Sequence, residues 1–262
     1  MAKESEAAHN SHEDRCYAGV VPMTPELACL YASLHRGSPG DVTFYESLVE
    51  EGDRVLELGA GSGRVSQALA RAGAEVVGVD LEPAMLALAE AEAAHLDRPP
   101  RFVQGDLTDL HLGERFDWVL IPYNTLCLCL DADSLTLAFE SVARHLAPGG
   151  RLAFDVYRGE PGPAEPGEEL VVVLEIDGTP WQVFAEELPH RDPWRGDVAY
   201  RFVSKGRELR HTIPQRLIPD ADVEACLQAV GLEVERRLGG FRGEPLDAEA
   251  EHLVIVARAA KL

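Results

Sequence analysis

The sequence has no run approaching eighteen uninterrupted apolar residues, so a transmembrane helix is not expected. It is also short of positive charge. Twenty-four lysines and arginines stand against 45 aspartates and glutamates, a formal net charge of −21. Nucleic acid and anionic membrane both call for a basic surface, so neither is expected as a partner. The acidic surplus reads first as a source of solubility, and it does not exclude a local basic groove. Cysteine is scarce as well. Cys16, Cys29, Cys127, Cys129 and Cys226 are odd in number and form no CxxC, which argues against a disulfide framework or zinc site and for a reducing cytoplasm. Cys127 and Cys129 alternate with leucines in TLCLCL, the pattern of buried packing. Nine histidines show no HExxH or comparable ligand spacing, so no metal is indicated. The first twenty residues carry charges where a secretory signal needs an apolar stretch.

What is present is a globular composition. The chain has 262 residues, 46% hydrophobic and 26% charged, which suits one large domain or one domain with a sizeable insertion. Residues 1–16 are polar and poor in large apolar side chains, and are expected to form a disordered tail. From Thr24 to Leu34 and from Val42 to Val49, apolar residues recur at helical spacing, with a Gly-Ser-Pro-Gly turn at 37–40 between them. Then short apolar runs follow at Arg54–Leu58, Glu75–Asp80, Arg101–Gly105, Phe116–Ile121 and Arg151–Asp155, each with the look of a buried strand. Helical stretches lie between them near Arg64–Ala72, Pro83–His95 and Leu135–Leu146, the last stopped by Ala147-Pro148-Gly149-Gly150. Strands alternating with helices predict a doubly wound α/β sheet covered on both faces.

After Asp155 the period changes. Leu170–Ile176, Trp181–Leu188, Asp197–Ser204 and Arg207–Ile213 read as four consecutive strands, with turns at Asp177-Gly178-Thr179-Pro180 and Lys205-Gly206. Ala221–Val230, Leu232–Leu238 and His252–Arg258 then resume the helix-and-strand pattern. The chain thus divides into a core over 17–155, an antiparallel insertion over 156–219 and a segment, 220–262, that completes the core sheet.

The strongest chemical signal is Val55-Leu56-Glu57-Leu58-Gly59-Ala60-Gly61-Ser62-Gly63-Arg64, an apolar strand running into a glycine turn that opens a helix. Glycines let the backbone turn sharply and approach a ligand with no Cβ in the way. A carboxylate, Asp80, ends the next strand, where it can accept from both ribose hydroxyls of an adenosine. Asp106 follows the third strand in Gln104-Gly105-Asp106-Leu107, within reach of an adenine edge. Each aspartate alone would be an ordinary strand-end residue; the set points to a nucleoside.

With ELGAGSG, VVGVDLEPAML, FVQGDL and FDWVLIPYNTL in this order, the chain resembles the class I S-adenosylmethionine-dependent methyltransferases. The resemblance covers roughly 24–150 and returns at the C-terminal strands. It implies a Rossmann-like seven-stranded sheet whose last strand is antiparallel, here with an antiparallel β insertion after the fifth strand. It also implies S-adenosyl-L-methionine as cofactor. The backbone of Gly59, Ala60 and Gly61 would approach the ribose and methionine, with Glu57 and Arg64 nearby. Asp80 would take the ribose diol, with Leu81 and Met85 on the adenine. Asp106 would accept from the adenine amino group, flanked by Gly105 and Leu107. Pro122, Tyr123 and Asn124 would border the reactive methyl, and Tyr31 resembles a helix tyrosine that covers the methionine end. For catalysis the candidates are Tyr31, Tyr123, Asn124 and His211.

Two alternatives remain at this level. A nicotinamide-dependent oxidoreductase would carry GxGxxG, whereas position 64 is Arg, and Glu57 would repel a pyrophosphate. A catalytically silent domain would keep the cofactor for regulation or assembly. Methyl transfer mainly needs alignment of an acceptor lone pair and exclusion of water, so the lack of a triad is expected. Ile121-Pro122-Tyr123-Asn124 lacks the polar residue and second proline of the nucleic-acid amino-methyltransferases. The acceptor is therefore expected to be a small molecule, methylated on nitrogen or oxygen. The insertion is expected to act as a lid over the methyl group, with a dimer surface, and hence a homodimer, as the structural alternative.

Overall fold

In the computed structural model, residues 22–164 and 167–259 are described; the tail expected over 1–16 lies outside them. The two N-terminal helices are α1 (Pro25–Leu34) and α2 (Asp41–Glu46). Thr24 starts α1: its hydroxyl accepts the Leu27 amide at 3.2 Å, and Pro25 occupies the first turn, where its missing N–H costs nothing. The alternating region that follows comprises β1 (Arg54–Leu58), α3 (Arg64–Arg71), β2 (Glu75–Asp80), α4 (Pro83–Ala93), β3 (Arg101–Gln104), β4 (Phe116–Ile121), α5 (Ala132–His145) and β5 (Leu146–Tyr157). After β4 a 3-10 turn spans Thr125–Leu128.

Several boundaries differ from the sequence expectation, and two of them have a clear local cause. Helix α5 starts three residues earlier, because Asp131 and Ser134 form a reciprocal capping box. Strand β5 starts at Leu146 rather than Arg151: the Pro-Gly-Gly segment ends the helix, but the chain pairs at once with β4 across a register shift, Leu146 with Phe116 and Arg151 with Trp118.

Four antiparallel strands follow, β6 (Glu169–Ile176), β7 (Thr179–Glu187), β8 (Val198–Ser204) and β9 (Arg207–Ile213), in the order β6-β7-β8-β9. Two-residue turns join β6 to β7 and β8 to β9. Asp177-Gly178 and Lys205-Gly206 hold positive φ at all four residues, as such hairpins require, and Thr179 and Pro180 already belong to β7. Helix α6 (Asp220–Ala229) and strands β10 (Leu232–Leu238) and β11 (His252–Ala259) close the core. The main sheet runs β10-β11-β5-β4-β1-β2-β3. Strands β1 to β5 are parallel, and β11 is antiparallel to both β5 and β10.

Period-two alternation explains burial on both faces. Leu56, Leu58, Val119, Ile121, Leu152 and Phe154 point into a core beneath α5 and α6, while Val55, Trp118, Leu120 and Ala153 point into one beneath α2 and α3. The inserted sheet buries its inner face against α1. Leu27 and Leu30 of the helix meet Leu174, Trp181, Val183 and Phe202 in a third cluster. Chain from the insertion re-enters the main core at Ile218. No helix among the described residues is long and apolar enough to cross a membrane.

Candidate active site

The glycine turn after β1 places Gly59, Gly61 and Gly63 at φ of 74°, 54° and 76°, backbone that side chains other than glycine rarely adopt. The amides of Gly59 and Ala60 both donate to the carbonyl of Val79, at 2.8 and 2.9 Å, which pins the turn to the end of β2. Asp80 completes the tie. Its Oδ2 accepts the Gly61 amide at 2.8 Å and its Oδ1 the Glu82 amide at 2.9 Å, so one carboxylate orders both turns. Burial raises its pKa, and those amides pull it back. Glu57 is buried in β1 and takes a hydrogen bond from the Ser66 hydroxyl. Burial pushes its carboxyl up to about 7, against the hydrogen bond from Ser66 and the charge of Arg64.

Beside this turn lies the segment after β4. Tyr123 and Asn124 both have left-handed backbone, φ 56° and 61°. Asp155, wholly buried near the end of β5, holds them there: Oδ1 accepts the Tyr123 amide at 2.8 Å and Oδ2 the Asn124 amide at 3.2 Å. The side-chain oxygen of Asn124 is buried without a hydrogen-bond partner. Arg64 pairs with the buried Asp41 through two bonds, at 2.8 and 2.6 Å, and its guanidinium lies over the Tyr123 ring. Gly37 makes room for it: a Cβ there would stand 2.3 Å from the guanidinium carbon.

These parts enclose a cavity of about 340 Å³. Of the residues singled out in the sequence, Glu57, Gly59, Ala60, Gly61, Arg64, Asp80 and Met85 line it from the glycine turn and its neighbours. Pro122, Tyr123 and Asn124 line it from the end of β4, Tyr31 from α1 and His211 from β9. Leu81, Gly105, Asp106 and Leu107 line instead a smaller adjoining cavity of about 40 Å³, which shares Gly59, Asp80, Thr125 and Leu128 with the first. Asp106 Oδ1 accepts from the amide and hydroxyl of Thr108, at 2.8 and 2.7 Å. The four catalytic candidates thus share one cavity. His211, flanked on its strand face by Leu209 and Ile213, faces that space, and burial lowers its pKa. Among the described residues, no group of three or more His, Cys, Asp or Glu is arranged to hold a metal ion.

Sequence reasoning missed His35, Tyr200, Gln215 and Glu82, which also line the cavity, and the supporting Asp155. His35 lies four residues after Tyr31 on one helix face, a spacing that pairs them. Tyr200 is paired in register with His211 across β8 and β9. In the sequence Asp155 closes the apolar run Arg151–Asp155 as Asp80 closes Glu75–Asp80, so a similar signal was available, although β5 itself runs on to Tyr157.

Residues 55–150 match a family model described as a methyltransferase domain. A putative methyltransferase of Bacillus subtilis (strain 168), YqeM, is 29% identical over 253 residues, covering 90% of this chain and 96% of that protein. The cypemycin N-terminal methyltransferase of a Streptomyces species is 29% identical over 208 residues, 79% of this chain and 83% of that one. Among solved structures, an S-adenosylmethionine-dependent methyltransferase from Clostridium acetobutylicum ATCC 824 superposes with a TM-score of 0.74 at 18% identity, over 90% of this chain and 98% of that chain, and so shares the fold. The motif set in order, the matching sheet and these relatives support a class I S-adenosylmethionine-dependent methyltransferase, with the methyltransferase domain itself matched over residues 55–150.

Proposed function

We propose that the chain transfers the methyl group of S-adenosylmethionine to a nitrogen or oxygen of a small-molecule acceptor by in-line displacement. The observation that carries this reading is the joining, across one cavity, of the glycine turn and Asp80 with ring-bearing residues of α1 and the inserted strands. A space of about 340 Å³ suits a small ligand and is walled off from bulk water on several sides. The relative that acts on the N-terminus of cypemycin supports nitrogen as one of the two acceptor atoms.

The residues present fit the cofactor. The Asp80 carboxylate accepts backbone amides on both oxygens and, with about four lone-pair sites, can still accept from a ribose hydroxyl. The backbone of Gly61 is bare, since a Cβ there would meet only the Met85 methyl, at 3.5 Å. The orphaned Asn124 oxygen would accept an N–H or O–H from a ligand, relieving a buried unsatisfied group that otherwise costs about 1–3 kcal/mol. Asp106, with Oδ2 left for an adenine amino group, and Leu81, Gly105 and Leu107 would hold the base in the smaller cavity. Met85 would pack against it from the α4 side.

When bound, the cofactor supplies a methyl group activated by a sulfonium. The chain's own part is alignment and exclusion of water. Pro122, Tyr123 and Asn124, fixed by Asp155, border the acceptor's line of approach, and Tyr31 and His211 close it from above. Glu57 lends negative charge on the sulfonium side.

Calorimetry with S-adenosylmethionine, S-adenosylhomocysteine, NAD and NADP tests the reading. One site per chain for the first two is expected, and none for the nicotinamides. Asp80→Ala should lose about ten- to a hundred-fold in affinity, and some thermal stability too, because Gly61 and Glu82 lose their acceptor. A folded sample that binds neither adenosyl ligand would overturn it. A sample that binds them, yet methylates nothing in a broad panel of small nitrogen and oxygen acceptors, would identify a silent domain.

A further inference from the structure

Three tyrosines and two histidines from separate parts of the chain meet at the cavity wall. Tyr31 comes from α1, His35 from the cap at that helix's C-terminus, Tyr123 from the turn after β4, Tyr200 from β8 and His211 from β9. The His35 ring is the hub: its centroid lies 4.3 Å from Tyr31, 5.3 Å from Tyr200 at 87°, and 6.2 Å from Tyr123 at 62°. Tyr31 in turn meets His211 edge-on, at 5.5 Å and 84°. His35 Nε2 is enclosed with no hydrogen-bond partner. Burial, with His211 second, lowers the His35 pKa to about 4, and burial lowers that of His211. Burial also raises the Tyr123 and Tyr200 hydroxyls, so at pH 7 this end of the cavity presents uncharged rings and acceptor nitrogens.

The charge around it has one sign. Glu57 on β1, Asp80 on β2 and Glu82 at the start of α4 line the same cavity. Among the described residues the cation in that lining is Arg64, and Asp41 neutralises it through two bonds. Aromatic faces and nearby carboxylates favour a cationic occupant and repel an anionic one.

We propose that the acceptor is an aliphatic amine, attacked as its free base and held as the resulting ammonium by the Tyr31 and Tyr200 rings, with the His35 and His211 ring nitrogens accepting its N–H bonds. This rests on the methyl-transfer reading above. As the N–C bond forms, the electrons of the C–S bond pass to sulfur and the positive charge moves to nitrogen. The substrate ammonium gives its proton to water before it is attacked, and the product ammonium gives one to water after release, so neither transfer requires a base of the chain. A hydroxyl acceptor would need a base, and histidines held neutral this firmly are poor ones.

The test uses the full chain saturated with S-adenosylhomocysteine, titrated with choline, with its uncharged isostere 3,3-dimethylbutan-1-ol and with acetate. Choline is expected to bind at least about ten-fold more tightly than the isostere, the size of a desolvated cation–π contact, and acetate more weakly than either. Tyr200→Leu should bring that ratio close to one while S-adenosylhomocysteine still binds. Should it fail to fold, the choline-to-isostere ratio of the parent chain carries the test alone. Choline that binds no better than the isostere, including the case where neither binds, overturns the proposal, as does a preference for acetate. So does methyl transfer, in a panel of amines and matched alcohols, to the alcohols alone. If S-adenosylhomocysteine itself fails to bind, the methyl-transfer reading falls and this inference with it; if it binds, only the amine is at stake.

Discussion

The hydroxyl of Tyr45 donates to Asp155 Oδ1 across 2.6 Å, and that same oxygen accepts the Tyr123 amide at 2.8 Å. A residue of α2 thus fixes, through a carboxylate 110 positions later in the chain, the left-handed segment that borders the cavity. Both side chains are fully buried, so each satisfies a group that would otherwise be stranded. Tyr45→Phe should cost about 1.5–3 kcal/mol in denaturant unfolding, the range for a hydrogen bond to a buried charged acceptor. Asp155→Ala should cost more, because two backbone amides lose their partner as well. A Tyr45→Phe chain as stable as the parent would show that the pair does not carry this load.

Two glycines separated by one residue should respond differently to the same methyl group. A Cβ on Gly59 would lie 2.3 Å from the Thr125 methyl and 2.5 Å from its hydroxyl, and that hydroxyl is committed to the Pro122 carbonyl at 2.7 Å. On Gly61 it would meet only Met85, at ordinary contact distance. Both substitutions carry the left-handed cost, about 1–2 kcal/mol. Gly61→Ala should therefore lose about that much stability and stay folded, while Gly59→Ala should lose clearly more. Equal losses, measured by urea unfolding of the two variants, would contradict the packing described around Thr125.

Glu57 makes stability depend on pH with a definite sign. Its folded pKa, about 7, lies above the ordinary 4.5. Its contribution is therefore fully present below about pH 4.5 and is lost as pH rises through about 7. Glu57→Gln keeps an acceptor for the Ser66 hydroxyl but does not titrate. Between pH 5 and 8 the parent should lose, relative to this variant, on the order of 2–3 kcal/mol of unfolding free energy. A bound sulfonium favours the ionised carboxylate, so cofactor affinity should rise with pH through 7 in the parent and stay flatter in Glu57→Gln. Parallel pH profiles for the two proteins would rule this out.

The parallel core could be read from the chain because each strand is buried on both faces. Runs such as VLEL, VVGVD and WVLI need no tertiary information to stand out, and the carboxylate at a strand end has a local signature. The start of β5 could not, since Pro-Gly-Gly marks a helix stop equally well before a loop or before a strand paired across a bulge. Neither could the Tyr45–Asp155 pair or the ring assembly at His35. Each depends on which distant surfaces meet: α2 on β5 in one case, α1 on the inserted sheet in the other. Strand alternation puts Tyr200 and Phe202 on one face, but the register of Tyr200 with His211 is set by the Lys205-Gly206 hairpin, and the helix that this face covers is set by packing.

That packing changes what removing the insertion should do. The expectation from the sequence is an added lid whose loss would spare cofactor binding. In the structure, Leu27 and Leu30 of α1 bury their side chains against Leu174, Trp181, Val183 and Phe202, so the helix that carries Tyr31 and His35 leans on the inserted sheet. Phe202 has no exposed surface, and truncating it leaves a cavity between the two elements. Phe202→Ala should cost about 3–5 kcal/mol, spent on undocking rather than on the main sheet. Native-state hydrogen exchange should then speed up together in α1 and in β6 to β9, while β1, β4 and β5, whose cores lie elsewhere, keep their protection. If α1 keeps its protection while the inserted strands lose theirs, the helix is held by the main sheet alone. In that case the insertion would be the separable lid that the sequence suggested.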